Sequence, residues 1–134
     1  MYDFPERILT DRLLLRPAMP GDGRKFHDAM LNSYDELKPW LGWVNSSLSL
    51  KEAEDTCCKA YGRYLLAQDL MIFLFDKENG ELVGSIGLMN PNWDLRIFEI
   101  GYWCNTKFLK KGLMKEALSS VRNFSFQDMN AKRL

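Results

Sequence analysis

"LMIFLFDKENGELVGSIGLMNPNWDLRIFEIGYWC", residues 70–104, is the stretch that decides the fold of this chain. Its three apolar runs, "LMIFLFD", "ELVGSIGLMN" and "RIFEIGYWC", have the aliphatic and aromatic content of strands. The segments between them are short: "KENG" ends in a hairpin-turn pair, Asn79-Gly80, and "PNWD" is a second turn. Strands joined by turns this short form an antiparallel meander, because a parallel crossover needs a longer connection.

The residues before the meander predict one strand and a first helix. "RILTDRLLLRPAM" is an opening strand with Leu13 and Leu15 on one face, because side chains alternate along a strand. "PGDGRKFHDAMLNS" begins with turn residues and then becomes helical. Helical spacing places Phe26, Met30 and Leu31 of this segment in one buried stripe.

Three further helical segments complete the predicted order of elements. "YDELKPWLGW" is a short helical piece that Pro39 limits. Ser49 followed by Glu52 is a capping-box pattern, which predicts the start of a helix that runs to about Gln68. "GLMKEALSSVRNFSFQ" is a helix after the meander, with one apolar face made by Met114, Ala117, Leu118, Val121 and Ser125. Strands that follow one another, covered by helices, predict an α+β layer architecture.

Length and composition limit the class of protein. The chain has 134 residues, which fits a single domain over 1–134, and it has 18 basic and 18 acidic side chains. This balance argues against a general nucleic-acid binder. The sequence shows neither a signal peptide nor a membrane span. Its three cysteines lack the spacing of a disulfide framework, and with His27 they lack zinc-ligand spacing, so we expect a cytoplasmic protein without a metal.

The junction "FLKKGLMKEAL", residues 108–118, is the first candidate site. The first N–H groups of a helix have no partner within the helix and lie at the positive end of its dipole. Gly112 leaves these amides accessible, while Lys110 and Lys111 add positive charge, so the pattern predicts a phosphate or pyrophosphate site. The alternative is an ordinary solvated lysine pair. The stretch is neither a Walker A loop nor a dinucleotide fingerprint.

Four segments in this order resemble the GNAT superfamily of N-acetyltransferases: "TDRLLLRPAMPGD", "LKPWLGW", "LVGSIGL" and "EIGYWCNTKFLKKGLMKEAL". The nearest group is the one that acetylates the N-terminal amines of ribosomal proteins. The resemblance implies a mixed, mainly antiparallel sheet flanked by helices. It also implies that the chain stops before the family's usual C-terminal strands and helix, which leaves a sheet edge through which it could form a homo-oligomer.

The resemblance also implies a binding site for acetyl-coenzyme A. The family's pyrophosphate loop matches Leu109, Gly112 and Met114, where the glycine is kept and the outer residues differ from the family pattern. The backbone of the whole loop is then expected to hold the diphosphate of the coenzyme, through Leu109, Lys110, Lys111, Gly112, Leu113 and Met114. The strand before it is expected to bind the pantetheine arm like an added strand, through Tyr102, Trp103 and Cys104. Core packing is the alternative role for Tyr102 and Trp103.

Acetyl transfer to an amine requires that the amine lose a proton. Glu99 lies in an otherwise apolar strand, "IFEIGY", and is the candidate base, since family enzymes often use a glutamate on this strand. The alternative is a structural ion pair or a solvent-facing side chain. Cys104 could be read as a nucleophile, but no base is placed near it, so a buried inert thiol is expected. No residue is assigned as the general acid.

The acceptor is expected to be a primary amine, and the resemblance favours a protein N-terminus. "PWLGW" is expected to line the acceptor cleft through Trp40 and Trp43, with an aromatic contact between helices as the alternative. Two other functions remain open. One is a non-catalytic, truncated module that binds coenzyme A or another protein, and the other is a general nucleotide or phosphate binder.

Overall fold

The computed structural model describes residues 7–37, 48–92, 94–95, 97–108 and 111–127. Five strands and three α-helices occur in this part of the chain, with a 3₁₀ turn at Thr106–Phe108 before the last helix. In chain order they are β1 (Ile8–Leu9), β2 (Leu13–Pro17), α1 (Gly23–Leu37), α2 (Leu50–Leu65), β3 (Leu70–Asp76), β4 (Leu82–Asn92), β5 (Ile97–Cys104) and α3 (Leu113–Gln127).

The strands form one sheet in the order β1-β2-β3-β4-β5, and each neighbouring pair is antiparallel. The predicted meander is confirmed, and β3 has the predicted bounds. The β3–β4 turn closes at Gly80, whose φ of 73° lies in the left-handed region that glycine tolerates. The mainly antiparallel α+β fold is therefore confirmed.

The prediction of a single opening strand is wrong, because residues 7–19 contain a short hairpin. Thr10 turns the chain between β1 and β2: its N–H donates to the Leu13 carbonyl at 2.9 Å, and its Oγ1 accepts from the Leu13 N–H at 3.0 Å. A threonine hydroxyl can replace backbone partners in this way, and pattern reading does not register it. Leu13 and Leu15 do share one buried face, as predicted.

Helices cover both faces of the sheet. On one face α1 and α2 pack against aromatic side chains, with the Phe26 ring 5.7 Å from Phe73 and 6.2 Å from Trp103 between centroids. On the other face α3 packs through Ala117 and Val121 against aliphatic side chains of the strands. Trp103 of β5 thus faces α1 and α2, while Phe98, Ile100 and Cys104 of the same strand face α3.

Two details of the first helix differ from prediction. Leu31 is 42% exposed, and the buried stripe is completed by Ala29 and Ser33 instead. α1 also continues to Leu37, so residues 34–37 belong to it rather than to a separate helical piece. The remainder of that predicted piece lies outside the described residues.

The predicted face of α3 is correct in part. Ala117, Val121 and Ser125 are buried, whereas Met114 and Leu118 are only partly buried. Leu113 and Phe124 are also buried, so the apolar stripe is rotated slightly around the helix relative to the prediction.

The two helices of the α1–α2 layer have different N-terminal caps. Ser49 caps α2 as predicted, because its side chain accepts from the Glu52 N–H at 3.0 Å. At the start of α1, Glu54 of α2 accepts from the N–H groups of Gly21 and Gly23 at 2.8 and 2.9 Å. A Cβ at Gly23 would lie 2.6 Å from the Glu54 Cα, so this close helix contact requires glycine.

Candidate active site

The connection from β5 to α3 is held firmly by Asn105, which is only 5% exposed. Its N–H donates to the Val83 carbonyl at 2.7 Å, and its side-chain amide donates to the Leu82 carbonyl at 3.1 Å. Ser33 of α1 accepts from the Thr106 N–H at 2.9 Å. These bonds fix where the chain leaves the sheet, and therefore where α3 begins.

The start of α3 presents unpaired backbone amides. Gly112 has a φ of 74°, and its carbonyl accepts the first helical hydrogen bond from the Glu116 N–H at 3.1 Å. Within the described ranges, the N–H groups of Leu113, Met114 and Lys115 have no hydrogen-bond partner. Such amides attract an anion at the positive end of the helix dipole. Leu109 and Lys110, which were predicted to join them, lie outside the described residues.

Glu116, the acidic residue in the first turn of α3, is held by the β1–β2 hairpin. Its carboxylate accepts from the Thr10 hydroxyl, from the Arg12 N–H at 3.0 Å and from the Arg12 Nε at 2.8 Å. Arg12 also donates to the Lys111 carbonyl at 2.9 Å. Because Arg12 neutralises Glu116, this carboxylate repels an anion at the start of α3 less than an unpaired carboxylate would.

These contacts set the pKa of Glu116. Burial alone would raise it, but the hydrogen bonds from Thr10 and Arg12 outweigh burial and hold the pKa below the usual value of 4.5. A carboxyl whose pKa is lowered by folding stabilises the protein above its unfolded pKa. That stabilisation is lost as the pH falls through the folded pKa.

We therefore expect Glu116→Gln to lower the free energy of unfolding by about 1–2 kcal/mol at pH 7, because charge-assisted hydrogen bonds are lost. The difference between wild type and variant should shrink below about pH 4.5. Urea unfolding from pH 3 to pH 7 measures both quantities. Glu52→Gln, at an exposed position of α2, is the matched control. A wild-type–Glu116→Gln difference independent of pH would contradict the assigned contacts.

β5 is the last strand of the described sheet, and its outer edge has no neighbouring strand there. The Asn105 N–H points to Val83 on β4. Because backbone groups alternate in direction along an antiparallel strand, those of Trp103 also point to β4, whereas those of Tyr102 and Cys104 point outward. The Trp103 side chain is 7% exposed and packs in the core, in agreement with the alternative role stated for it.

Glu99 lies on the α1–α2 side of β5 and is exposed. Its Oε2 accepts from the Asn90 Nδ2 at 2.8 Å. Asn90 has a φ of 46° and lies where the β4–β5 register shifts, and its N–H donates to Asp69 Oδ1 at 3.3 Å. A bulge of this kind changes the direction of nearby side chains. Here it brings two carboxylates, Asp69 and Glu99, to one asparagine.

A largely apolar cavity of about 260 Å³ lies between α2 and strands β3, β4 and β5, and one of its lining residues, Met89, is the strand partner of Glu99. This cavity was not among the predicted sites. Its lining consists of Ala60, Arg63, Asp69, Leu70, Met71, Ser85, Gly87, Met89, Gly101, Tyr102 and Trp103. The only signal in the sequence was a glycine in each of two strands, "GSIGL" and "EIGYW", and that signal has meaning only once the strand register is known.

The cysteines do not resemble reactive thiols. Burial raises the pKa of Cys57 to about 12 and also raises that of Cys104, whose Sγ lies 3.5 Å from the Asn105 carbonyl. His27 lies beside Asp28, with 3.1 Å between Nδ1 and Oδ1. Among the residues whose structure is described, no cluster of His, Cys, Asp and Glu could hold a metal ion. No helix in that part of the chain is long and apolar enough to cross a membrane.

Two other predicted site regions can be placed only in part. Of the lysines around the predicted phosphate site, Lys107, just before it, forms an ion pair with Glu81 at 2.8 Å, and Lys111 is exposed with its Nζ 5.4 Å from the Phe108 ring centroid. Trp40 and Trp43, the predicted acceptor residues, lie outside the described residues. The structure therefore places Glu99, Tyr102 and Cys104 on one strand, β5, which is followed by the start of α3.

Residues 12–134 match the sequence profile of the family described as Acetyltransferase (GNAT) domain. One relative is YdaF of Bacillus subtilis (strain 168), whose name provisionally assigns it as a ribosomal N-acetyltransferase. It is 23% identical over 128 residues, which cover 94% of this chain and 68% of YdaF.

Solved structures share the fold. A protein from Vibrio cholerae, provisionally identified as a ribosomal-protein-serine acetyltransferase, superposes with a TM-score of 0.83 at 24% identity, covering 97% of this chain and 71% of that one. RimL, a ribosomal L7/L12 α-N-protein acetyltransferase solved in complex with coenzyme A, has a TM-score of 0.81 at 21% identity. That match covers 88% of this chain and 66% of RimL.

Proposed function

Because this chain belongs to the acetyltransferase (GNAT) domain family, we propose that it transfers an acetyl group from acetyl-coenzyme A to the N-terminal amine of a protein. The observation that supports this most is the set of unpaired amides at the start of α3, next to the outer edge of β5. The relatives named for ribosomal-protein acetylation support a ribosomal protein as the acceptor.

The diphosphate of the coenzyme binds at the start of α3. In this proposal the N–H groups of Leu113, Met114 and Lys115 donate to it, and Gly112 leaves space because it has no side chain. Lys111 adds a positive charge that is exposed and therefore available to a phosphate. Leu109 and Lys110 complete the loop in this proposal.

The pantetheine arm lies along the outer edge of β5. Tyr102 and Cys104 offer their backbone N–H and C=O groups there, as an edge strand does to an added strand. Trp103 contributes through packing, since it holds β5 against Phe26. Between Cys104, at the end of β5 nearer to α3, and Glu99 the strand spans about 17 Å, at about 3.3 Å per residue. A second copy of the chain could compete for the same edge.

Glu99 accepts the proton that the acceptor amine loses, directly or through one water. The neutral amine attacks the thioester carbonyl, the C–S bond breaks, and the thiolate of coenzyme A leaves and takes up a proton. Asn90 holds one carboxylate oxygen of Glu99, which leaves the other oxygen for the amine. Trp40 and Trp43 line the acceptor side in this proposal. Cys57, Cys58 and Cys104 are all free thiols, which supports a reducing, cytoplasmic location.

A second candidate is coenzyme A binding without transfer. It is favoured by the exposure of Glu99 and its bond to Asn90, since an exposed, hydrogen-bonded carboxylate can also be purely structural. Acetylation of a peptide amine by the purified chain separates the two candidates, because the second predicts binding and no product.

Coenzyme A should raise the melting temperature, since a ligand at 100 times its Kd stabilises a protein by about 2.7 kcal/mol. Lys111→Glu should weaken binding by about tenfold, because it replaces an attraction to the diphosphate by a repulsion. Lys59→Glu, an exposed position on α2, is the matched control and should change Kd less than about twofold. An unchanged melting curve in millimolar coenzyme A would overturn the proposal. ATP binding as tightly as coenzyme A would instead indicate a general phosphate binder.

A further inference from the structure

The cavity between α2 and the sheet owes its existence to two glycines that face each other across β4 and β5. Gly87 pairs with Gly101, and the next pairs on the same face of the sheet are Ser85–Trp103 and Met89–Glu99. Directly opposite residues of an antiparallel pair project on the same face, so two side chains are missing there at one point. The residue above this gap on α2 is Ala60, which is also small. Neither the glycine pair nor Ala60 fills the gap, and the flexible side chain of Met89 lies over it.

The rim of the cavity is charged while its interior is largely apolar. Asp69 lies in the wall and is 3.8 Å from Arg63, a long ion pair between half-exposed side chains. Glu99 lies two residues from Gly101 along β5, on the same face of the sheet, and has no cationic partner within the described residues. Asn90 links these two carboxylates. Since Arg63 already pairs with Asp69, Glu99 is the carboxylate that can attract a further cation, and the interior favours an apolar group attached to that cation.

From this combination we infer that the cavity holds the apolar side chain of the acceptor's first residue while its α-amine lies at Glu99. The preferred acceptor is then an amine whose own residue carries an aliphatic or aromatic side chain, rather than glycine or serine. This inference rests on the proposed transferase function and makes the acceptor class more specific. An acyl chain on the donor would be neutral and would gain nothing from the carboxylates.

The size of the cavity agrees with such an occupant. An apolar protein cavity of about 150 Å³ is enough to bind benzene. The cavity here, at about 260 Å³, has room for a leucine or phenylalanine side chain. Met89 lies over the glycine pair, because a Cβ at Gly101 would come within 2.7 Å of its Cε. Met89 is flexible and 39% exposed, so it can move aside as a side chain enters.

The two glycines also provide variants that fill the cavity without breaking the fold. A Cβ at Gly87 meets only the Met89 side chain, at 3.6 Å, which is an ordinary contact. At Gly101 the close contact is the end of the same flexible side chain. Gly62→Ala is the matched control, because a Cβ at this exposed position of α2 meets nothing within 4 Å. Circular dichroism and melting curves are the checks that each variant is folded.

The test is an NMR titration of the full chain, with saturating coenzyme A, by leucinamide, glycinamide and the uncharged 4-methylpentanamide. We expect leucinamide to bind about tenfold or more tighter than either of the others, since apolar groups in a pocket give discrimination of this order. Gly87→Ala and Gly101→Ala should each reduce the preference for leucinamide over glycinamide to about twofold or less, and Gly62→Ala should retain it.

Other results would overturn the inference. Equal Kd values for leucinamide and glycinamide would do so, and so would a preference for leucinamide that survives both cavity-filling variants. A third such result is that hexanoyl-coenzyme A binds the wild type more tightly than acetyl-coenzyme A does, and that this difference disappears in Gly87→Ala and Gly101→Ala. Because binding is measured without reaction, the outcome is separate from that of the proposed function. If the chain prefers leucinamide but forms no product, the pocket assignment holds and the proposed transferase activity is refuted. If the chain is active but shows no preference, the transferase activity holds and the pocket assignment is refuted.

Discussion

Replacing Glu99 by Gln should lower kcat for amine acetylation by about 10²–10⁴-fold, the usual contribution of a general base. The glutamine has the same shape and can still contact Asn90, whose side-chain amide can rotate to offer its oxygen. It cannot accept the proton of the amine. The Kd of coenzyme A should change little, because Glu99 lies at the far end of β5 from the start of α3.

The pH profile makes this prediction specific to a base. The residual activity of Glu99→Gln should increase towards alkaline pH, where the amine loses its proton without help. Glu52→Gln, an exposed position of α2, is the control and should retain activity within about twofold. If Glu99→Gln keeps more than about a third of wild-type kcat, Glu99 is a structural side chain and not the base.

Replacing Asp22 by Ala should lower the free energy of unfolding by about 2–3 kcal/mol, because it removes charge-assisted hydrogen bonds from a partly buried ion pair. Asp22 is 6% exposed and precedes α1. Both of its carboxylate oxygens accept from Arg16, at 2.7 and 2.8 Å, and one also accepts from the Met19 N–H at 2.8 Å. The guanidinium of Arg16 also lies 4.3 Å from the centroid of the Phe75 ring, so the bonds from Asp22 help to hold it against this ring.

Urea unfolding at pH 7 measures the effect of this change. Asp22→Asn should lose less than the alanine variant, because its amide oxygen can still accept from Met19. Asp55→Ala, at an exposed position of α2, should change the unfolding free energy by no more than about 0.5 kcal/mol. A loss below about 1 kcal/mol for Asp22→Ala would show that the bidentate pair is unimportant for stability.

Local patterns predicted most of the elements. The strand content of residues 70–76 and the Ser49–Glu52 cap were both correct, because each depends on residues that are neighbours in sequence. Cys57 is buried while its neighbour Cys58 is exposed, because adjacent residues of a helix point in different directions. The unpaired amides at the start of α3 were anticipated for the same reason, since they are a property of any helix start.

Contacts between distant segments could not be read in this way. Nothing near Gly21 indicates that Glu54 caps its helix, and nothing near Glu116 indicates Arg12, which is 104 residues away. Leu31 matched a helical stripe, but the position of α1 on the sheet buried Ser33 instead. Each of these outcomes depends on how two elements pack, which periodicity does not specify.

The sequence by itself therefore determined the order of strands and helices, the antiparallel meander and the glycine at the start of α3, because turn chemistry and side-chain periodicity act over a few residues. Only the tertiary structure decided that Gly87 faces Gly101, that Asn90 links Asp69 to Glu99, and that a cavity opens beside them. The physical reason is strand register: a shift of one residue would turn every one of these side chains to the opposite face of the sheet.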